Sequence, residues 1–168
     1  SYDGEQYKFN IPGPDITDAD LVDILDSLPG QNHFLVNTSS TSGAILEALE
    51  NENRIIITAT RNGNEKNATE FWPFFATALT SETADINKNN NVSIQEAFDF
   101  AERSVTEFFE SSGKLATEHP QIRGEGAVSF TLARVQAVEL SDDNPRISNL
   151  LTRRLELDAE IESLQLRR

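Results

Sequence analysis

The clearest candidate for chemistry in this sequence is a polar stretch at residues 85–96, DINKNNNVSIQE. Calcium binds oxygen ligands, and in a loop of about twelve residues these come from positions 1, 3, 5, 7, 9 and 12, the last a bidentate carboxylate. Residues with side-chain or backbone oxygens fall on all of these positions: Asp85, Asn87, Asn89, Asn91, Ser93 and Glu96. The spacing therefore predicts an EF-hand-like calcium loop.

Two departures from the ideal loop affect how strongly calcium would bind. Asn90 stands at position 6, where Gly is usual, although Asn enters the left-handed backbone region more readily than most residues. Asn87 and Asn89 stand where Asp would add charge, so two carboxylates remain, with Lys88 beside them. We therefore expect weak, structural binding, roughly in the 10⁻⁴ to 10⁻³ M range, and an extracytoplasmic location where calcium is plentiful.

An alternative interpretation of this stretch needs no metal. Asn side chains form turns by bonding to nearby backbone amides, so residues 85–96 are also compatible with an Asn-rich turn between two helices.

A second candidate is a run of hydroxyl residues that ends in Gly43, within the segment FLVNTSSTSG at residues 34–43. This segment resembles the end of the central strand in caspase-fold cysteine peptidases, most closely the legumain-like group and its bacterial relatives. In that group a Cys-x-Ser-Gly element follows the strand, and STSG at residues 40–43 corresponds to it. The next strand of the family ends in a Thr- and Ala-rich stretch, which IIITAT at residues 55–60 resembles.

The resemblance covers about residues 1–120 and implies a partial caspase-like unit, with a parallel sheet between layers of helices. The sequence departs from the family at the catalytic residues, because Ser40 occupies the nucleophile position and the catalytic His would lie before residue 1. A serine hydroxyl is a weak nucleophile without an adjacent base. His33 is expected at the far end of the strand, and no spacing relates His119 to Ser40. We therefore expect no catalytic residue, and expect the hydroxyls of residues 38–42 to cap the following helix and line a polar pocket.

Three functions remain open from these residues. The first is a catalytically inactive, peptidase-like module that is stabilised by calcium and acts in binding or assembly. The second is an active peptidase or hydrolase of the caspase–legumain clan whose catalytic His lies upstream. The third is a calcium-dependent interaction domain that shares only a generic α/β unit with caspases.

The elements around these residues indicate an α/β fold. Residues 33–38 and 54–60 read as strands and residues 44–50 as a short helix between them, which is a βαβ unit with parallel strands. Helices are predicted at residues 17–28, 68–80 and 93–110, and a late strand at 127–138.

The C-terminal segment differs from the rest of the chain. We expect one α/β domain over residues 1–140, and a separate helix over residues 147–168. Apolar residues recur there near heptad spacing, which indicates a possible coiled coil for self-association or a protein partner.

Composition excludes several function classes. The net charge of −14 argues against nucleic acid and against anionic membrane surfaces. No apolar run approaches the ~20 residues that span a bilayer. The chain has no Cys, which excludes disulfides and thiolate chemistry, and no Met, so we expect it to be a processed product or part of a longer protein.

Overall fold

The computed structural model describes residues 1–135 and Arg153, and within that part the chain is a mixed α/β structure with small sheets and four α-helices. The described residues 1–135 belong to one compact unit. The strands are β1 Lys8–Phe9, β2 Ile16–Thr17, β3 His33–Asn37, β4 Arg54–Thr58, β5 Asn91–Ser93, β6 Gln121–Arg123 and β7 Thr131–Arg134. The helices are α1 Asp18–Ser27, α2 Leu46–Leu49, which a 3₁₀ turn at Ser42–Ile45 precedes, α3 Phe71–Ala78 and α4 Ile94–Ser112.

The central sheet has the order β3-β4-β6. Strands β3 and β4 are parallel, with His33 opposite Arg54 and Asn37 opposite Thr58, which confirms the predicted βαβ unit. The expectation of a parallel sheet holds for β3 and β4 but not for β6, which runs antiparallel to β4. The segment after α4 enters β6 at the end where β4 finishes, since Gln121 lies opposite Thr58, and it therefore runs in the reverse direction.

The late strand predicted at 127–138 begins later and is shorter than expected. Strand β7 spans Thr131–Arg134 and pairs antiparallel with β5, not with the central sheet. Val92 lies opposite Ala133, so β7 runs directly beside the residues that lead into α4.

Helices cover both faces of β4. Ile55 and Ile57 belong to the larger core, which includes buried residues of α3 and α4. Ile56, on the opposite face, packs into a smaller core with residues of α1 and α2. Burying one such side chain contributes about 1.5–3 kcal/mol, so this uncharged, β-branched strand holds the two helical layers together.

The helix ends follow from local sequence. Thr17 caps α1 in a capping box with Asp20, and Gly113 ends α4 in the left-handed conformation. Helix α3 begins at Phe71, three residues later than expected, which places Pro73 in its first turn, where proline is tolerated. No described helix is both long and apolar enough to cross a membrane. The predicted helix at 147–168 lies outside the described residues, apart from Arg153.

Candidate functional site

The polar stretch at residues 85–96 connects α3 to α4 through β5. Its first and last residues, Asp85 and Glu96, are buried, whereas residues 86–90 are exposed. The carboxylate of Asp85 accepts hydrogen bonds from two backbone amides of the loop, those of Asn89 at 3.1 Å and Asn90 at 2.8 Å. The backbone therefore folds around the Asp85 side chain.

The amide side chains shape the middle of the loop. Asn87 Oδ1 accepts from the Asn89 amide at 3.1 Å, and Asn89 Oδ1 accepts from the Asn91 amide at 2.8 Å. Asn90 has φ of 64°, so it adopts the left-handed conformation expected at this position, and Lys88 does so as well, with φ of 60°. These turns bring the oxygen-bearing side chains of the first half of the loop into one small region.

Glu96 joins the two halves of the loop. Its Oε2 accepts from the Ser93 amide at 3.0 Å and from the Ser93 hydroxyl at 2.8 Å, in the capping box that begins α4. Its Oε1 accepts from the Asn87 side-chain amide at 2.8 Å and from the backbone amides of Ile86 and Asn87. One carboxylate therefore holds the first residues of the loop against the first turn of the helix.

The Glu96 carboxyl is ionised at neutral pH. Burial and the nearby Asp85 charge raise the pKa of Glu96, but hydrogen bonds from Ser93 and Asn87 outweigh them, so its pKa lies below the ordinary value. Asp85 and Glu96 place two buried carboxyl groups in the same loop. A cation between them would offset the repulsion of their charges.

The donor set fits a hard cation. The described residues contain no group of three or more His, Cys, Asp and Glu side chains placed to hold a metal ion. This loop would instead combine two carboxylates with amide, hydroxyl and backbone oxygens, which are ligands that calcium accepts.

The back of the loop is fixed by β7. Val92 is fully buried in the larger core and pairs with Ala133. The carbonyl of Asn90 accepts from the Val135 amide at 3.2 Å, and the Ile94 amide donates to the Phe130 carbonyl at 2.9 Å. The pairing of the late strand with β5 was not predicted from the sequence.

Ser40 lies half-buried in the turn after β3, and its hydroxyl has no hydrogen-bond partner in the part of the chain that the structure describes. His33 lies at the opposite end of β3, as expected. The neighbouring Ser39 hydroxyl instead joins a polar network, at 2.6 Å from the Tyr7 hydroxyl and 2.8 Å from Asn37 Oδ1.

The expectation that the hydroxyls of residues 38–42 cap the following helix is wrong. The 3₁₀ turn has no side-chain cap. The Ser42 hydroxyl, with the Gly43 amide, bonds to Thr60 after β4, and the Thr69 hydroxyl donates to the Thr38 carbonyl. These contacts tie the two strand ends together, because neighbouring parallel strands finish at the same edge of the sheet.

Sequence reasoning missed a polar cluster beside this edge. Glu65 Oε1 lies 2.6 Å from His119 Nδ1, and Glu65 Oε2 accepts from the backbone amides of His119 and Arg61. The Glu65 carbonyl accepts from the Thr41 amide at 2.8 Å, so the cluster adjoins the turn that holds Ser40. Glu65 and His119 are 54 residues apart, and no spacing in the sequence connects them.

The adjoining Glu118 is only 2% exposed. Its Oε1 accepts a hydrogen bond at 2.7 Å from the backbone amide of Glu70, the residue immediately before α3. Burial raises the pKa of Glu118 to about 7, the carboxylates of Glu70 and Glu65 add to the rise, and backbone amides at residues 70 and 71 oppose it.

Replacing Glu118 is expected to remove one component of the pH dependence of stability. A carboxyl whose pKa is raised on folding holds its proton more tightly in the folded state. Its contribution to stability is therefore most favourable at pH values below its ordinary pKa near 4.5, and it falls as pH rises through about 7. The difference in unfolding free energy between Glu118→Gln and the unmodified protein should therefore increase in favour of the variant from pH 5 to pH 8. Chemical denaturation at four pH values measures it, and a difference that is constant with pH contradicts the raised pKa.

Comparison with known proteins gives no relative from which a function can be transferred: no family model, curated protein or solved structure matches the chain.

Proposed function

We propose that this chain is a non-catalytic, caspase-like module whose loop at residues 85–96 binds one calcium ion, and that it acts in binding or assembly. The observation that carries the proposal is the conformation of the loop. Its two carboxylates are both buried at the loop ends, and the amides of residues 89–91 turn the backbone back on itself through four hydrogen bonds, two of them to Asp85.

A structural role for the ion fits the surroundings of the loop. The loop is continuous with β5 and the first turn of α4, and the buried faces of both pack into the larger core. An ion between Asp85 and Glu96 would link the end of the α3 region to the start of α4. Because α4 contributes much of that core, calcium would stabilise the domain as a whole.

The caspase-like and non-catalytic parts of the proposal are supported at the edge of the central sheet. The strands that the resemblance relates to the family's cleft are parallel neighbours. Ser40 stands at the nucleophile position with no base hydrogen-bonded to its hydroxyl among residues 1–135, and the chain contains no Cys. The side chains around it make bonds that fix the turn.

Calcium is expected to raise the stability of this protein. With dissociation constants of roughly 10⁻⁴ to 10⁻³ M, 10 mM calcium would add about 1 to 3 kcal/mol to the unfolding free energy, because the ion binds the folded state. Thermal unfolding with and without calcium measures the gain in stability, and titration calorimetry measures the dissociation constant. Asp85→Asn should weaken binding at least about tenfold, since it removes one of two charged ligands.

Asp23→Asn is the matched control, because it makes the same chemical change at an exposed position on α1. It should leave the calcium response unchanged. The proposal fails if the unmodified protein shows neither heat nor a thermal shift at millimolar calcium, or if the two variants respond alike.

A further inference from the structure

A cavity of about 450 Å³ lies beside the C-terminal half of α4 and the segment that follows it. It contains no residue of the 85–96 loop, and it is formed by residues of three separate segments of the chain. Its lining residues are Arg61, Glu102, Val105, Thr106, Phe109, Glu110, Lys114, Leu115, Ala116, Glu118, His119, Pro120 and Gln121.

Glu118 is the unusual group in this lining. Its side chain is almost fully buried, and while its Oε1 bonds to the Glu70 amide, its Oε2 has no hydrogen-bond partner among the described residues. An unpartnered carboxylate oxygen in a buried position costs free energy. A ligand in the cavity that donates to Oε2 would remove that cost.

Each basic side chain of the lining contacts another group of the described residues. The Arg61 guanidinium lies 3.7 Å from Glu65 Oε1, and the Lys114 ammonium lies 5.8 Å from the centre of the Phe108 ring. The His119 ring bonds to Glu65 through Nδ1. Three carboxyl groups, of Glu102, Glu110 and Glu118, outnumber the cations Arg61 and Lys114 in this lining, which favours a positively charged ligand.

Most of the remaining lining residues are apolar, apart from Thr106 and Gln121. Val105, Phe109 and Pro120 are buried, and Leu115 is 89% exposed at the same cavity. The aliphatic chain of a ligand in the cavity would cover these apolar surfaces, and a charged group at the end of that chain would contact Glu118.

We propose that this cavity binds a protonated primary amine carried on an aliphatic chain, the chemistry of a lysine side chain, with its ammonium group on Glu118 Oε2. The net charge of −14 favours the approach of such a cation. The proposal does not depend on calcium binding, because the residues that carry it lie outside the loop at 85–96.

The test uses Nα-acetyl-lysine N-methylamide as the probe and the neutral Nα-acetyl-norleucine N-methylamide as its apolar counterpart. Backbone amide shifts of the full chain, recorded by NMR during titration, report where and how tightly each binds. We expect saturable shifts at Val105, Phe109 and Ala116 with the lysine probe, and at least about fivefold weaker binding of the norleucine probe. Titration with n-butylamine in parallel identifies the source: tighter binding of the lysine probe indicates a peptide ligand, and equal or tighter binding of n-butylamine indicates a free amine.

Glu118→Gln should weaken lysine binding by about tenfold or more, because it removes the charged partner while keeping an acceptor for the Glu70 amide. Glu107→Gln, at an exposed carboxylate of α4 that does not line the cavity, should change it by less than about threefold. Thermal unfolding of both variants establishes that they are folded. Equal binding of the lysine and norleucine probes, unchanged lysine binding by the Glu118 variant, or no shift at about 20 mM probe would overturn the proposal.

Discussion

Gly43→Ala is expected to lower the unfolding free energy by about 3 kcal/mol or more, a loss large enough to prevent folding of a marginally stable domain. A Cβ at this position would lie 2.3 Å from the carbonyl carbon of Arg61 and 2.4 Å from both the Asn62 nitrogen and the Thr60 oxygen. All three are backbone atoms, so no side-chain rotation relieves the overlap. The turn after β3 and the end of β4 would have to separate, and the hydrogen bonds of Thr60 to Ser42 and Gly43 would be lost.

Gly113→Ala is the matched control. Gly113 has φ of 64°, but nothing lies within 4 Å of a Cβ built there, so its cost is conformational alone and about 1 kcal/mol. Denaturant unfolding of the two variants compares the cost of a steric overlap with backbone atoms, at Gly43, with the cost of an unfavourable backbone conformation, at Gly113. If Gly43→Ala costs no more than Gly113→Ala, the strand ends are not packed as the structure describes.

The parts of the fold that sequence predicts well are those with local causes. Helices α1 and α4 and the parallel pair of β3 and β4 follow from short-range patterns, and the structure confirms them. Strand β6 was missed because QIR at residues 121–123 is short and has no alternation, and its position depends on contact with β4. Gly124 shows this dependence, since a Cβ there would lie 1.9 Å from the Arg54 carbonyl oxygen.

The same distinction applies to the candidate sites. The loop at residues 85–96 is contiguous, so its ligand spacing is visible in the sequence, and the structure places its two carboxylates at the buried ends of one loop. The cluster of Glu65, Glu118 and His119 arises only when segments about fifty residues apart meet, and no sequence periodicity encodes it. Glu96 is intermediate, because its spacing predicts a metal ligand while the structure also gives it a second role in the capping box.

That second role leads to distinct expectations for two substitutions of Glu96. Glu96→Ala removes the acceptor for the Ser93, Ile86 and Asn87 donors, and it should lower the unfolding free energy by about 2 kcal/mol or more even in the presence of a calcium chelator. Glu96→Gln keeps a carbonyl acceptor and relieves the repulsion from Asp85, so its cost in chelator should be well below that of the alanine variant. Both variants should lose the stabilisation by calcium, because both remove the charged ligand at the last position of the loop.

Denaturant unfolding of each variant, once in chelator and once in 10 mM calcium (a concentration ~10-fold or more above the expected dissociation constant), measures the two roles separately. Glu107→Ala is the control, since this exposed residue lies on the same helix and should change stability by less than about 0.5 kcal/mol in either condition. A glutamine variant that still gains stability from calcium would show that Glu96 serves only the helix cap. An alanine variant as stable in chelator as the unmodified protein would instead show that the carboxylate contributes nothing to holding the loop against α4, and the loop would then have no structural role without its ion.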